Sequence, residues 1–209
     1  EGRFNATFTS TPAVYSRSIR VTLKNDSFLT ASVTGNRIAT GSFALSAWLS
    51  LAPGGNSRYI YREATSGNIA NGTGTLANIG RVLYIDSGNK IHFNTAYSAS
   101  TGGFKYDQYY KDLDDVPNWP GHEKPFHLVV SHTGVNNVFD AISFWIDGVL
   151  IQDVTASRGT GTGVLTQNPP DEIILLNSKV GGTDTLWGTS GASFIDDIVL
   201  LNTTASQAA

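Results

Sequence analysis

The chain contains no cysteine and no methionine. Without cysteine there is no disulfide, no thiolate nucleophile and no Cys-ligated zinc. Without methionine there is no initiator, so the sequence reads as a processed chain or as part of a larger one. Charge is also sparse: 15% of the 209 residues are Asp, Glu, Lys or Arg, with a net charge of −3. No Lys/Arg cluster marks a nucleic-acid surface. The longest apolar runs, "EIILL" and "DDIVLL", are strand-sized and far too short to span a bilayer. No signal peptide is visible. Glutamate is nearly missing, with only Glu1, Glu63, Glu123 and Glu172. What is abundant is Gly, Ser, Thr and Asn, as in exterior proteins of bacteria and viruses. The four Asn-x-Ser/Thr sites, at Asn5, Asn25, Asn71 and Asn202, are near chance for such a composition.

No long segment has a helical period. Strand-like runs recur instead, bounded by Gly, Asn, Asp and Ser. "SIRVTL", "SFLTAS", "RYIYRE", "FHLVVSH" and "EIILLN" each read as one strand. "SFALSAWLSL" sets Phe43, Leu45, Ala47 and Leu49 on one side and Trp48 on the other, as in a sheet covered on both faces. "RVLYID" and "KIHFNTAY" flank "SGN" and predict a hairpin. Asp147-Gly148 between "AISFWI" and "VLIQDV" predicts another. The sum is ten to twelve strands and little or no helix: an all-β, two-sheet antiparallel β-sandwich of the jelly-roll type. One domain over residues 1–202 is expected, with 203–209 as a tail or linker stub. Three connections look long, over 65–78, 98–125 and 156–170.

The order of motifs adds a resemblance. "SFALSAWLSL" with Trp48, the run Phe126-His127-Leu128-Val129-Val130, Trp145-Ile146-Asp147-Gly148, and Ile195-Asp196-Asp197-Ile198 follow one another along the chain. This succession resembles the concanavalin A-like lectin/glucanase superfamily, and within it the laminin-G-like (LamG, pentraxin-like) jelly roll. The resemblance covers roughly residues 26–202. Phe126 stands where that family has Trp, Leu128 where it has a second His, and Leu200-Leu201 where it ends in Ile-Tyr.

Three groups of side chains are candidates for chemistry. "GGFKYDQYYKDLDDVPNWPGHE" concentrates Tyr106, Tyr109, Tyr110 and Trp119 beside Asp112, Asp114 and Asp115. Rings stack on the apolar faces of sugars, and carboxylates accept sugar hydroxyls or ligate calcium. Against this stands a plainer reading, in which the rings pin a long loop to the sandwich and the aspartates are solvated. Second, Asp196 and Asp197 are adjacent on a strand, so one of them turns toward a covered face or its edge. The resemblance implies that Asp196 helps hold a structural Ca2+ together with backbone carbonyls near the start of the chain; a carboxylate satisfied by N–H groups or Arg is the alternative. Third come the histidines. His127 and His132 face opposite sides of one strand and cannot form a metal pair there. His92 reads as a packed or surface residue.

Catalysis finds little support. Glucanases of this superfamily carry Glu-x-Asp-x-(x)-Glu on one strand, and no such motif is present. A lyase set of Gln/His, Tyr and Arg finds only His92 and Tyr97. No Gly-x-Ser-x-Gly elbow and no phosphate loop occur. Three readings remain. The first is a non-catalytic carbohydrate-binding or adhesion module of an extracellular, cell-surface or virion-surface protein, binding a glycan or glycoprotein through rim loops with calcium assistance. The second is a structural or receptor-binding module that contacts neighbouring subunits. The third is a polysaccharide hydrolase or lyase.

Overall fold

The computed structural model describes residues 6–9, 18–22, 29–32, 42–53, 58–64, 79–98, 104–135, 138–161, 172–175, 178–180, 183–185 and 192–201. Sixteen strands run through them. They are β1 (Ala6–Thr9), β2 (Ser18–Thr22), β3 (Leu29–Ser32), β4 (Phe43–Ser50), β5 (Arg58–Ala64), β6 (Ile79–Ile85), β7 (Lys90–Ser98) and β8 (Phe104–Asp112). Then follow β9 (Phe126–His132), β10 (Ile142–Ile146), β11 (Val149–Leu150), β12 (Thr155–Gly161), β13 (Glu172–Leu175), β14 (Ser178–Val180), β15 (Thr183–Thr185) and β16 (Ala192–Leu201). The only helical element among the described residues is one 3-10 turn, Leu113–Asp115, and no described helix is long and apolar enough to cross a membrane.

Two seven-stranded antiparallel sheets form a sandwich. Sheet A has the order β1-β2-β16-β4-β9-β10-β11, and sheet B has β12-β8-β7-β6-β5-β13-β3. The alternation read in "SFALSAWLSL" sets the core. Leu45, Ala47 and Leu49 of β4 pair with Val130, Leu128 and Phe126 of β9, and all six are buried. Sheet B answers with Tyr61, Leu83, Phe93 and Tyr109. The layers lock where Phe43 of sheet A meets Tyr61 and Phe93 of sheet B, at ring-centroid distances of 5.2 and 5.9 Å. Truncating either phenylalanine to alanine would cost about 3–5 kcal/mol. Both predicted hairpins form. Asp147 and Gly148 hold positive φ (50° and 77°), the primed-turn geometry that a tight hairpin demands. Asp147 also accepts the backbone N–H of His127 on Oδ1 (2.8 Å).

A polar knot sits inside this core. Glu63 is fully buried, accepts the Tyr61 hydroxyl (2.7 Å) and the Arg81 backbone N–H (3.0 Å), and lies 3.4 Å from the Arg81 guanidinium. Burial pushes its carboxyl up to about 7 against the pull of Arg81 and Tyr61. His132, buried on β9, packs against the Phe93 and Tyr109 rings. Burial, and then Arg81, depress it to about 4.

Two of the three long connections are shorter than expected. Within 98–125, Phe104–Asp112 is strand β8, paired residue for residue with β7. The signal was the two-residue alternation of "KYDQYY", hidden because Asp107, an inward residue, is charged. Asp107 is tolerated there by an ion pair with Arg158 (3.5 Å). Likewise 155–161 is β12, hydrogen-bonded to β8. The connection 65–78, the rest of 156–170 and the tail 203–209 lie outside the described residues. The true rim connection, 113–125, is pinned by its own contacts. Leu113 and Val116 are buried, the Asn118 amide donates to the Ile146 carbonyl, and the Glu123 backbone N–H donates to the Leu51 carbonyl (2.9 Å). Arg58 holds it from below, with one guanidinium nitrogen shared between the Ala52 carbonyl (3.2 Å) and His122 (3.0 Å).

Candidate functional site

Because side chains alternate, each core-facing residue of sheet B has a neighbour on the opposite, outer face. Cross-strand register arranges those neighbours in rows. One row runs Tyr59–Tyr84–His92–Tyr110–Thr155 over β5, β6, β7, β8 and β12. The next runs Arg62–Val82–Asn94–Gln108–Ser157 over the same five strands. Beyond it Tyr106 pairs with Gly159, and on the rim side Lys90 pairs with Asp112.

The rings of the first row stand on edge and face one another. Tyr84 and His92 are parallel within 2° at 4.6 Å; Tyr59–Tyr84 and His92–Tyr110 lie at 5.2 and 5.5 Å, tilted about 30°. The Lys90 ammonium lies over the Tyr110 ring at 5.8 Å. The row therefore spends ring faces on itself and turns edges and hydroxyls outward, a comb of hydrogen-bonding groups. Asp86 fixes the end of the comb, accepting from or bonding His92 Nε2 (2.8 Å) and accepting the N–H groups of Gly88 and Lys90 (both 2.9 Å). Burial raises the Asp86 pKa, but the Lys90 N–H, His92 and the Gly88 N–H outweigh it and hold the carboxyl below its ordinary value. Tyr84 moves the other way: burial raises it, opposed by a hydrogen bond from the Asn94 side chain.

The four rings singled out in the sequence do not form one platform. Tyr109 is a core residue, fully buried, donating its hydroxyl to the Val138 carbonyl (2.7 Å). Trp119 packs at the rim, edge-on to Phe126 (4.8 Å) and His122 (6.0 Å). Tyr106 and Tyr110 do share the outer face of sheet B. The Tyr106 ring lies so closely over Gly159 that a β-carbon there would come within 2.0 Å of it. Adjacent positions on one strand cannot both face a ligand, which separates Tyr109 from Tyr110. Asp112 caps the 3-10 turn by accepting the Asp114 N–H (3.1 Å), and Asp114 accepts the Asn89 amide (2.7 Å). Both carboxylates thus lie at the rim end of the same sheet. Sequence reading missed Tyr59, Tyr84, Arg62 and Asn94. Their signal was period-two alternation in "RYIYRE" and "RVLYID", but which strands adjoin which was not legible.

Asp196 stands on the outer face of the other sheet, opposite Trp48 and, through it, His127. The register shift after Asp196 makes a β-bulge, with Asp197 exposed at φ 47°. The Asp197 N–H bonds Asp196 Oδ1 (3.0 Å), while Asp196 Oδ2 is buried with no hydrogen-bond partner. That single oxygen suits a cation. No three His, Cys, Asp or Glu side chains gather among the described residues, so further ligands would have to be backbone carbonyls.

No protein-family model matches the chain, and no curated protein matches its sequence. Solved structures do match. A botulinum neurotoxin type C structure, described by its dependence on two ganglioside molecules for cell entry, superposes with a TM-score of 0.57 at 17% identity. The binding domain of botulinum neurotoxin DC in complex with SialylT gives 0.59 at 16%, and the same domain with rat synaptotagmin II gives 0.58 at 14%. Each match covers 97% of this chain but only 42–43% of the other. The chain thus spans less than half the length of these structures, and the likeness is one of fold: a β-sandwich.

Proposed function

We propose that the chain is a non-catalytic carbohydrate-binding module of an extracellular, cell-surface or virion-surface protein, of the LamG-like, concanavalin A-like kind. The ligand lies on the outer face of sheet B at its rim end. One observation carries this reading: Tyr84, His92, Tyr110, Asn94, Gln108 and Arg62 share one face turned away from the core. Upright phenols and amides recognise hydroxyl-rich ligands by hydrogen bonds. The glycan partners in the names of the neurotoxin structures support the same class, as does the missing carboxylate pair. Calcium belongs to the proposal through the unpartnered Asp196 oxygen, with Asp197 exposed beside it.

A glycan array tests this. Signal lost in Tyr84→Ala and Tyr110→Ala, but kept in Tyr109→Phe, is the expected pattern. A flat array with the wild-type chain refutes it. For calcium, EDTA should lower the melting temperature; an unmoved transition removes the ion.

A second reading, contact with neighbouring subunits, has its own support. On the outer face of sheet A, Val199, Ser46, Val129, Trp145 and Leu150 form one row across five strands. Val199 is 46% and Leu150 38% exposed. Apolar surface of this kind favours a protein partner. Sedimentation of the wild type against Leu150→Asp decides it.

A further inference from the structure

Arg62 is the exception among the buried arginines. Arg81 has Glu63, and Arg58 has the Ala52 and Asp86 carbonyls and His122. The part-exposed Arg158 has Asp107. Arg62 is as buried as Arg58 and Arg81, at 2% exposure; all three leave Nε without a hydrogen-bond partner, but Arg62 leaves a terminal nitrogen without one as well. No carboxylate among the described residues forms an ion pair with it. Glu63, its neighbour in sequence, points to the other side of the sheet and is committed to Arg81. Two strands away on the same row, Asn94 Oδ1 is also buried and unpartnered. A desolvated guanidinium without an anion is costly, and a donor and an acceptor left unsatisfied in one row add to that cost. The ring comb lies one row away, toward the rim.

We propose that Arg62 anchors the carboxylate of an acidic sugar, with Asn94 Oδ1 accepting one of that sugar's hydroxyls and the Tyr84 edge flanking it. The inference rests on the carbohydrate-binding reading and narrows it to anionic glycans. A carboxylate matches the planar guanidinium and supplies the absent counter-charge. Two kinds of sugar carry such a group, the uronic acids and the sialic acids, and the geometry of the acid relative to the ring separates them.

Calorimetric titration with a hyaluronan tetrasaccharide, sialyllactose and neutral lactose tests it. One of the two acidic probes should bind at least tenfold more tightly than lactose, the preference shrinking as salt rises. Arg62→Gln should abolish that preference, lowering the affinity for the preferred acidic probe at least tenfold. Arg62→Lys, which retains charge without the planar donor array, should fall between. The melting temperature of Arg62→Gln should equal or exceed that of the wild type, because a lone buried charge has been removed. A marked loss of melting temperature would instead reveal an internal counter-ion and overturn the proposal. Equal binding of acidic and neutral probes, unchanged in Arg62→Gln, overturns it while leaving the carbohydrate reading intact. Binding of none of the three overturns both. Release of an unsaturated, ultraviolet-absorbing product from the hyaluronan probe would confirm acid recognition and replace the non-catalytic reading with a lyase.

Discussion

Glu63 and His132 sit on opposite sheets, both facing Arg81, and their pKa values are displaced in opposite senses. Burial lifts Glu63 from 4.5 to about 7. Below pH 4.5 it is protonated in folded and unfolded chains alike and contributes no pH dependence. Between pH 4.5 and 7 the unfolded chain releases the proton while the folded chain keeps it. Stability therefore falls as pH rises, by about 1.4 kcal/mol per unit and about 3 kcal/mol in all. Burial and Arg81 lower His132 from 6.5 to about 4. Between pH 4 and 6.5 the unfolded chain takes up a proton that the folded chain refuses, so stability rises with pH, again by about 3 kcal/mol. From pH 4.5 to 6.5 the two slopes cancel. Urea denaturation at closely spaced pH values exposes them separately. Relative to wild type, Glu63→Gln should gain a rising slope through the overlap window and His132→Gln a falling one, each about 1.4 kcal/mol per pH unit. The absolute stability lost with the Arg81 partner is a constant offset and does not enter the slope. If both variants track the wild-type pH profile in parallel, neither group is displaced and the reasoning fails.

Other outcomes follow from single contacts. Tyr109→Phe removes only the hydroxyl that meets the Val138 carbonyl, and should cost about 1 kcal/mol in chemical denaturation. Gly159→Ala should swing the Tyr106 ring off β12, visible as a changed near-ultraviolet dichroism, with a small stability loss because the obstructing atoms are the far end of a side chain. Asp147→Ala loses the bond to the His127 N–H and leaves a β-carbon at φ 50°, so about 1–2 kcal/mol should go.

Most of the fold was legible because apolar alternation is a local signal. Phe43, Leu45, Ala47 and Leu49 announced the inward face of β4, and Asp147-Gly148 announced the turn between β10 and β11. The β8 strand was not, because Asp107 and Lys111 break the apolar pattern, and the partner that makes Asp107 tolerable, Arg158, is distant in sequence. The candidate site was legible only in part. Tyr106 and Tyr110 were picked out, along with Tyr109, whose direction is opposite. The rows that bring Tyr84 beside His92, or Arg62 in line with Asn94, depend on which strands pair and in what register. That is fixed by long-range packing, to which a single sequence gives no direct access.

The place of β16 has a consequence for biosynthesis. This last described strand lies in mid-sheet, hydrogen-bonded to β2 on one side and β4 on the other. Until residues 192–201 leave the ribosome, the β1–β2 ribbon has no seam by which to join β4, β9 and β10, and sheet A is two fragments. Closure then pairs β16 with β2 and β4, both far away in sequence, a slow kind of contact. Sheet A therefore cannot close before residues 192–201 are available, and a nascent chain stalled short of Ala192 would present raw strand edges to whatever chaperone or neighbour is at hand.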